Sequence, residues 1–166
     1  MGQEALRLEP EPYPALQVEG KNLRYARAML SNAAGVHSEL STVSTYVYSQ
    51  LMAEGEPAVA EAFHHISVAE MHHLYIFTRL AQLLGEQPRM WSWQNGRRLW
   101  WTPAWNRYPQ GRTALLQNAL RGERETIARY RRQTMWIEDA GVLANLERII
   151  RDEEDHVRQF TQLLGQ

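Results

Sequence analysis

Four long segments of the sequence place apolar residues at the three- and four-residue spacing of an α-helix, which favours a helical bundle. Short breaker segments separate the first from the second and the third from the fourth, so each pair forms an antiparallel hairpin. The connection at 86–110 is long enough to run the length of a helix. The sequence therefore predicts an all-α four-helix bundle of two antiparallel hairpins, with a long crossover between helices 2 and 3 and no strand. The predicted helices cover 22–53, 57–84, about 112–136 and about 142–164.

The first twenty residues differ from the rest of the chain because Pro10, Pro12 and Pro14 stand close together. Proline lacks an amide donor and disfavours helix at the preceding residue. We therefore expect 1–20 to form an extended, Pro-rich N-terminal arm, either disordered or packed over a neighbour. Residues 21–166 are expected to form the bundle, a length sufficient to bury a full core.

Composition excludes several kinds of site. The 166-residue chain contains no Cys, which removes disulfides, thiolate nucleophiles, zinc fingers and iron–sulfur centres. A net charge of -1 argues against nucleic acid or an anionic membrane as a partner. No apolar run approaches the ~20 residues that cross a bilayer. The first residues lack the order of a signal peptide, so we expect a cytoplasmic protein.

Each of the four apolar helix faces carries a glutamate near its middle: Glu39, Glu70, Glu123 and Glu153. A buried carboxylate without a counter-charge costs several kcal/mol or becomes protonated, so four in one core need a positive charge. Two of the glutamates are followed one turn later, on the same face, by a histidine. These are His73, in Glu70-Met-His-His, and His156, in Glu153-Glu-Asp-His.

The two predicted hairpins repeat the same pattern at the same height. Each glutamate of a hairpin lies nearly as many residues from the turn as its partner, so the pair lies at one level. Tyr46 and Tyr130 each follow the first glutamate of their hairpin by two helical turns, which places both tyrosines next to the carboxylates. A buried tyrosine hydroxyl needs a partner, and here a ligand glutamate is the nearest candidate.

Charge and ligand chemistry together predict a site for two metal ions. Four carboxylates match the charge of two divalent cations. Carboxylate and imidazole without thiolate suit Fe or Mn, and Zn can substitute. A Glu from each of two helices with a Glu-x-x-His from each of the other two is the ligand pattern of di-iron and di-manganese bundles.

The chain resembles the ferritin-like superfamily over about residues 22–164, and within it the rubrerythrin-like di-iron proteins. The most specific segment is LERIIRDEEDH at 146–156. The resemblance implies that Glu70 and Glu153 bridge two metals, usually iron, and that the centre reacts with hydrogen peroxide or O2. It further implies one metal completed by Glu39 and His73 and the other by Glu123 and His156.

Two departures from the rubrerythrin pattern affect the predicted function. Rubrerythrins carry a second carboxylate one turn after the first on the third helix, and here that position is Thr126, with Glu125 on another side of the helix. A chain without Cys also cannot contain their rubredoxin domain, so electrons would need an external donor. We expect a peroxidase or ferroxidase of oxidative stress or iron metabolism. Non-enzymatic metal binding, iron storage and a di-manganese catalase are the alternatives.

The remaining candidate residues have less specific interpretations. Asp152 either holds a ligand histidine from behind or is an exposed acid in an acidic run. We expect the other histidines to be exposed or at an interface: His37, His64, His65 and His72. The Trp-rich crossover is structural cover, an oligomer contact or a docking surface, and we expect a homodimer or a larger homo-oligomer.

Overall fold

The computed structural model describes residues 11–165, and helices dominate them. Five α-helices are present: α1 (Leu23–Ala34), α2 (Glu39–Met52), α3 (Pro57–Leu83), α4 (Arg112–Thr134) and α5 (Ala140–Leu164). α2 and α3 form one antiparallel hairpin, and α4 and α5 form the other, with α1 continuing the first rod of the bundle against α3. The prediction of an all-α bundle of two hairpins with a long crossover is confirmed.

The first predicted helix, 22–53, is wrong as a single helix because the chain breaks it at residues 35–38. Gly35 is extended, and a Cβ there would lie 2.5 Å from the carbonyl oxygen of Ser31. Ser38 then caps a new helix, its hydroxyl accepting from the Ser41 amide at 3.4 Å. The break puts Glu39 in the first turn of α2, where a helix favours negative charge.

The expectation of no strand is also wrong, because the crossover contains a β-hairpin. Strands β1 (Trp91–Gln94) and β2 (Arg97–Trp100) pair antiparallel, and a short 3-10 helix follows at Pro103–Trp105. Asn95 and Gly96 both have positive φ, as a two-residue hairpin turn requires. The crossover then lies along α2, where the Trp101 indole donates to the Ser41 hydroxyl at 3.0 Å.

The described part of the predicted arm, 11–20, packs on the bundle, while 1–10 lie outside the described residues. Tyr13, Leu16 and Val18 contact the apolar core. The Glu19 amide donates to Asp139, the N-cap of α5, at 2.8 Å. Residues 11–20 thus contain no helix or strand and cover their own bundle.

Two apolar clusters fill the bundle, one toward each end. The first includes Phe77 and Leu146, and the second includes Phe63 and Phe160. The buried carboxylates lie between them at mid-height. Among the described residues, no helix is both long and apolar enough to cross a membrane.

Candidate metal centre

The structure brings together all six residues that the sequence pattern selects as metal ligands. They form two groups, and within each group one ligand atom per residue lies within 4.8 Å of every other. Every member is buried, with no more than 2% of its surface exposed. Glu70 and Glu153 belong to both groups. One group adds Glu39 and His73, and the other adds Glu123 and His156.

Both histidines turn the same ring nitrogen toward the centre of the cluster. Nδ1 of His73 lies 3.2 Å from Glu70 and 3.3 Å from Glu153. Nδ1 of His156 lies 3.0 Å from Glu70 and 3.1 Å from Glu153. The i, i+3 spacing on α3 and α5 makes this possible, because it sets each imidazole beside its own helix's glutamate. Each imidazole therefore faces both shared carboxylates.

The two buried tyrosines hold glutamates across the bundle. The Tyr46 hydroxyl donates to Glu123, and the Tyr130 hydroxyl donates to Glu39. The sequence spacing places each tyrosine two turns from the glutamate of its own helix. In the structure, however, each tyrosine hydroxyl donates to the glutamate of the other hairpin. These two hydrogen bonds therefore fix the outer carboxylates and join the hairpins.

Asp152 lies directly behind His73 and not behind His156. Its Oδ2 accepts from Nε2 of His73 at 3.1 Å, and its Oδ1 lies 2.5 Å from the Arg148 guanidinium. Asp152 is 1% exposed, so it is not an exposed acid. Nε2 of His156, in contrast, is buried with no hydrogen-bond partner in the described part of the chain. The two histidines thus have different support.

Burial and the neighbouring charges divide the four glutamates into two pairs. Burial raises the pKa of Glu39 and of Glu123 well above the ordinary value, and the neighbouring carboxylates raise both further. Burial also acts to raise the pKa of Glu153, but His156 and His73 outweigh it and hold that pKa well below its usual range. Two imidazoles therefore cannot keep four carboxylates ionised.

The same neighbouring charges raise the pKa of both histidines. Burial alone would lower the pKa of His156, but Glu153 and Glu70 raise it to about 9. The pKa of His73 is likewise raised well above its ordinary value, because Asp152, Glu153 and Glu70 outweigh burial. Without a cation, the raised pKa values favour protonated histidines and protonated outer glutamates.

A cleft between α2, α4 and the crossover has Tyr46 in its lining. Its inner wall includes Thr45, Tyr46 and Thr126, and its outer wall includes Asn106 and Arg121. Thr126 is 7% exposed and lies one turn beyond Glu123. The cleft therefore borders Tyr46, whose hydroxyl donates to Glu123.

The other four predicted histidines are exposed and lie outside the two ligand groups. His37 is exposed and lies 3.6 Å from Glu125, and His65 lies 3.5 Å from Glu61. His64 and His72 are also exposed. None of the four belongs to the two ligand groups.

Two residues beside the centre were not predicted from the sequence. Arg148 precedes Asp152 by one turn on α5, and this i, i+4 pair was a signal that the sequence offered. Tyr13 comes from the arm, and its hydroxyl donates to Asp152 and lies 3.1 Å from Nε2 of His73. No sequence periodicity relates Tyr13 to the bundle.

Solved manganese catalases share this fold. Wild-type KatB, a manganese catalase from Anabaena, superposes with a TM-score of 0.84 at 18% identity, over 95% of this chain and 78% of the catalase chain. A second structure, KatB from Anabaena PCC7120, gives the same values. The predicted fold, a four-helix bundle with a long crossover, is thus confirmed, while the resemblance to the ferritin-like superfamily and, within it, to rubrerythrin-like proteins stays a prediction. Comparisons with protein-family models and with curated proteins gave no match.

Proposed function

We propose that the six clustered residues hold two divalent metal ions and that the protein is a di-metal enzyme acting on hydrogen peroxide. Glu39 and His73 would hold one ion, Glu123 and His156 the other, and Glu70 and Glu153 would serve both. The observation that carries this proposal is the pair of buried four-residue groups that share Glu70 and Glu153.

The donor set fits manganese or iron. Carboxylate oxygens and imidazole nitrogens are the ligands that both metals accept, whereas a zinc preference would more often include thiolate. Four ionised carboxylates balance two divalent ions, and this removes the cost of burying unpaired charge. The matching fold of a manganese catalase favours manganese over iron here.

The reaction we propose is the disproportionation of peroxide. One H2O2 gives up two electrons and two protons and leaves as O2, while a second takes them up, breaks its O–O bond and leaves as two waters. When bound, the metal pair stores the two electrons between these half-reactions. No external reductant is needed, which suits a chain without Cys in which no iron–sulfur relay can form.

The chain's own residues orient the ligands and exclude bulk water. The Tyr46 and Tyr130 hydroxyls hold Glu123 and Glu39 in place. Aromatic rings pack directly behind them, with Phe63 at 5.2 Å from Tyr46 and Phe77 at 5.1 Å from Tyr130. Thr126, smaller than the carboxylate that rubrerythrins place there, leaves the cleft open for peroxide.

A rubrerythrin-like peroxidase or ferroxidase is the second candidate function. The ligand set itself, four glutamates with two histidines, favours it. This function would require an external electron donor for each turnover. Iron storage without catalysis has less support, because the Trp-rich crossover and the arm differ from a standard cage wall.

Oxygen evolution separates these functions. Protein loaded with Mn2+ or with Fe2+ receives H2O2, and an electrode records O2. We expect one O2 for every two H2O2 from the manganese form without reductant. Peroxide consumption that depends on an added reductant and yields no O2 would instead support the peroxidase. No reaction of either form would contradict both.

A matched pair of variants links the activity to the cluster. Glu153→Gln removes one shared carboxylate, whereas Glu154→Gln changes its neighbour, whose carboxylate pairs with Arg131 at the surface. We expect the first variant to lose O2 evolution and the second to retain it. Equal activity of the two variants would count against the proposed site.

A further inference from the structure

The arm reaches the metal centre from outside the bundle. Tyr13 is the contact: its hydroxyl donates to Oδ2 of Asp152 and lies 3.1 Å from Nε2 of His73. Asp152 Oδ2 itself lies 3.1 Å from that same nitrogen. The hydroxyl, the carboxylate and the imidazole N–H thus form a closed triangle behind one ligand histidine.

Several contacts hold Tyr13 in this position. The Arg148 guanidinium lies 4.3 Å from the centre of the Tyr13 ring and donates to the Glu11 carbonyl at 3.0 Å. The His72 and Tyr13 rings meet edge-to-face, with their centres 4.5 Å apart. Asn145 donates to the Ala15 carbonyl at 3.4 Å. These contacts between the arm and the bundle therefore fix the position of the Tyr13 hydroxyl.

The opposite histidine has no such support. Nε2 of His156 is buried without a hydrogen-bond partner among residues 11–165. The ligand groups otherwise mirror each other, since each contains one outer glutamate, one histidine and both shared glutamates. Asp152 from α5 and Tyr13 from the arm therefore make the two metal positions unequal.

We infer that Tyr13 is a positioning residue which, with Asp152, fixes the ring of His73 and makes the metal position at His73 the tighter of the two. This rests on the proposed di-metal centre. A ligand histidine whose far nitrogen is held keeps its orientation and its basicity, and loss of such a partner typically weakens metal binding by about 10–100-fold. The His156 position should not depend on Tyr13.

Tyr13→Phe tests this, because it removes only the hydroxyl and keeps the ring beside Arg148. Stepwise Mn2+ titration, with free Mn2+ read by electron paramagnetic resonance, gives two binding constants. We expect the tighter constant to weaken about tenfold and the weaker one to stay within about twofold. The control is Tyr48→Phe, which removes a hydroxyl that donates to Pro109 in the crossover, and it should change neither constant.

A second measurement separates positioning from simple packing of the arm and does not require metal. In 1H–15N spectra of the metal-free protein, Tyr13→Phe should shift the Nε2 resonance of His73, assigned with a His73→Asn variant, and leave His156 unchanged. Equal weakening of both constants, with a lower thermal midpoint and an unmoved His73 resonance, would overturn the inference. If the wild type binds no Mn2+, the di-metal proposal fails and the inference falls with it; an unmoved His73 resonance in a protein that binds two Mn2+ refutes the inference alone.

Discussion

The hydrogen bonds that cross between hairpins should contribute measurably to stability, and Tyr130→Phe tests one of them. The change removes the hydroxyl that donates to Glu39 and keeps the ring that packs on Phe77. Tyr130 is 0% exposed and Glu39 is 1% exposed, so water cannot replace the lost donor without rearrangement. The loss of this hydrogen bond should therefore lower the free energy of unfolding.

The magnitude depends on the charge of Glu39. A hydrogen bond between neutral groups contributes about 1 kcal/mol, and one to a charged group about 1.5–3 kcal/mol. Burial raises the pKa of Glu39 well above its ordinary value and so favours the neutral carboxyl, for which the smaller figure is the one expected in the metal-free protein. Tyr46→Phe removes the equivalent bond to Glu123 and should cost a similar amount. Either loss should lower the thermal midpoint by about 2–4 °C for a chain of this size.

Urea denaturation in the presence of a chelator measures the free energy of unfolding directly. Tyr75→Phe is the control, because Tyr75 is 57% exposed. We expect Tyr130→Phe and Tyr46→Phe to be less stable than this control by about 1 kcal/mol each. If neither variant differs from Tyr75→Phe, the crossed pairs do not support the fold and the reasoning is refuted.

Four further predictions concern the charges of the cluster and two glycines. Metal binding should release protons, because the pKa of His156 is raised to about 9 and that of Glu39 lies well above its ordinary value. Calorimetry in buffers of different ionisation enthalpy should show this proton release at pH 7. The same measurement should show weaker metal binding as the pH falls. The stabilising charge on His156 is also lost as the pH rises from 6.5 through about 9, so thermal midpoints of the metal-free protein should fall across that range, and a flat profile would contradict this. Gly35→Ala should destabilise by about 1–3 kcal/mol, whereas Gly55→Ala, which has open space, should stay within about 0.5 kcal/mol in urea denaturation. Gly141→Ala would place a Cβ 2.0 Å from the Gln17 carbonyl oxygen and should speed hydrogen exchange in the arm, an effect that Gly122→Ala should lack.

The bundle was predictable because its signals are local and repeated. Four apolar stripes, two short turns and one long connection leave few arrangements of helices. The break at Gly35 was harder to see, since one glycine inside a periodic segment is often tolerated. Ser38 was the available signal for a new helix start, because serine is a favoured N-cap residue. The β-hairpin was missed because its strands are only four residues long.

The ligand set was accessible from the sequence for a different reason. A glutamate in the middle of an apolar face is costly, so four at matched heights point to one shared counter-charge. The partner of each tyrosine was not accessible, because periodicity gives height along a helix but not which neighbour a side chain reaches. Tyr13 was inaccessible for the same reason: a non-periodic arm has no register against the bundle.

The metal content of the purified chain tests the central claim most directly. Protein exchanged with Mn2+ or Fe2+ and passed through a desalting column should retain two ions per chain by elemental analysis. Glu70→Ala should retain fewer than two, because Glu70 lies in both ligand groups. Glu61→Ala, which changes an exposed glutamate on the same helix, should still retain two. Two ions per chain in Glu70→Ala, or none in the wild type, would contradict the account.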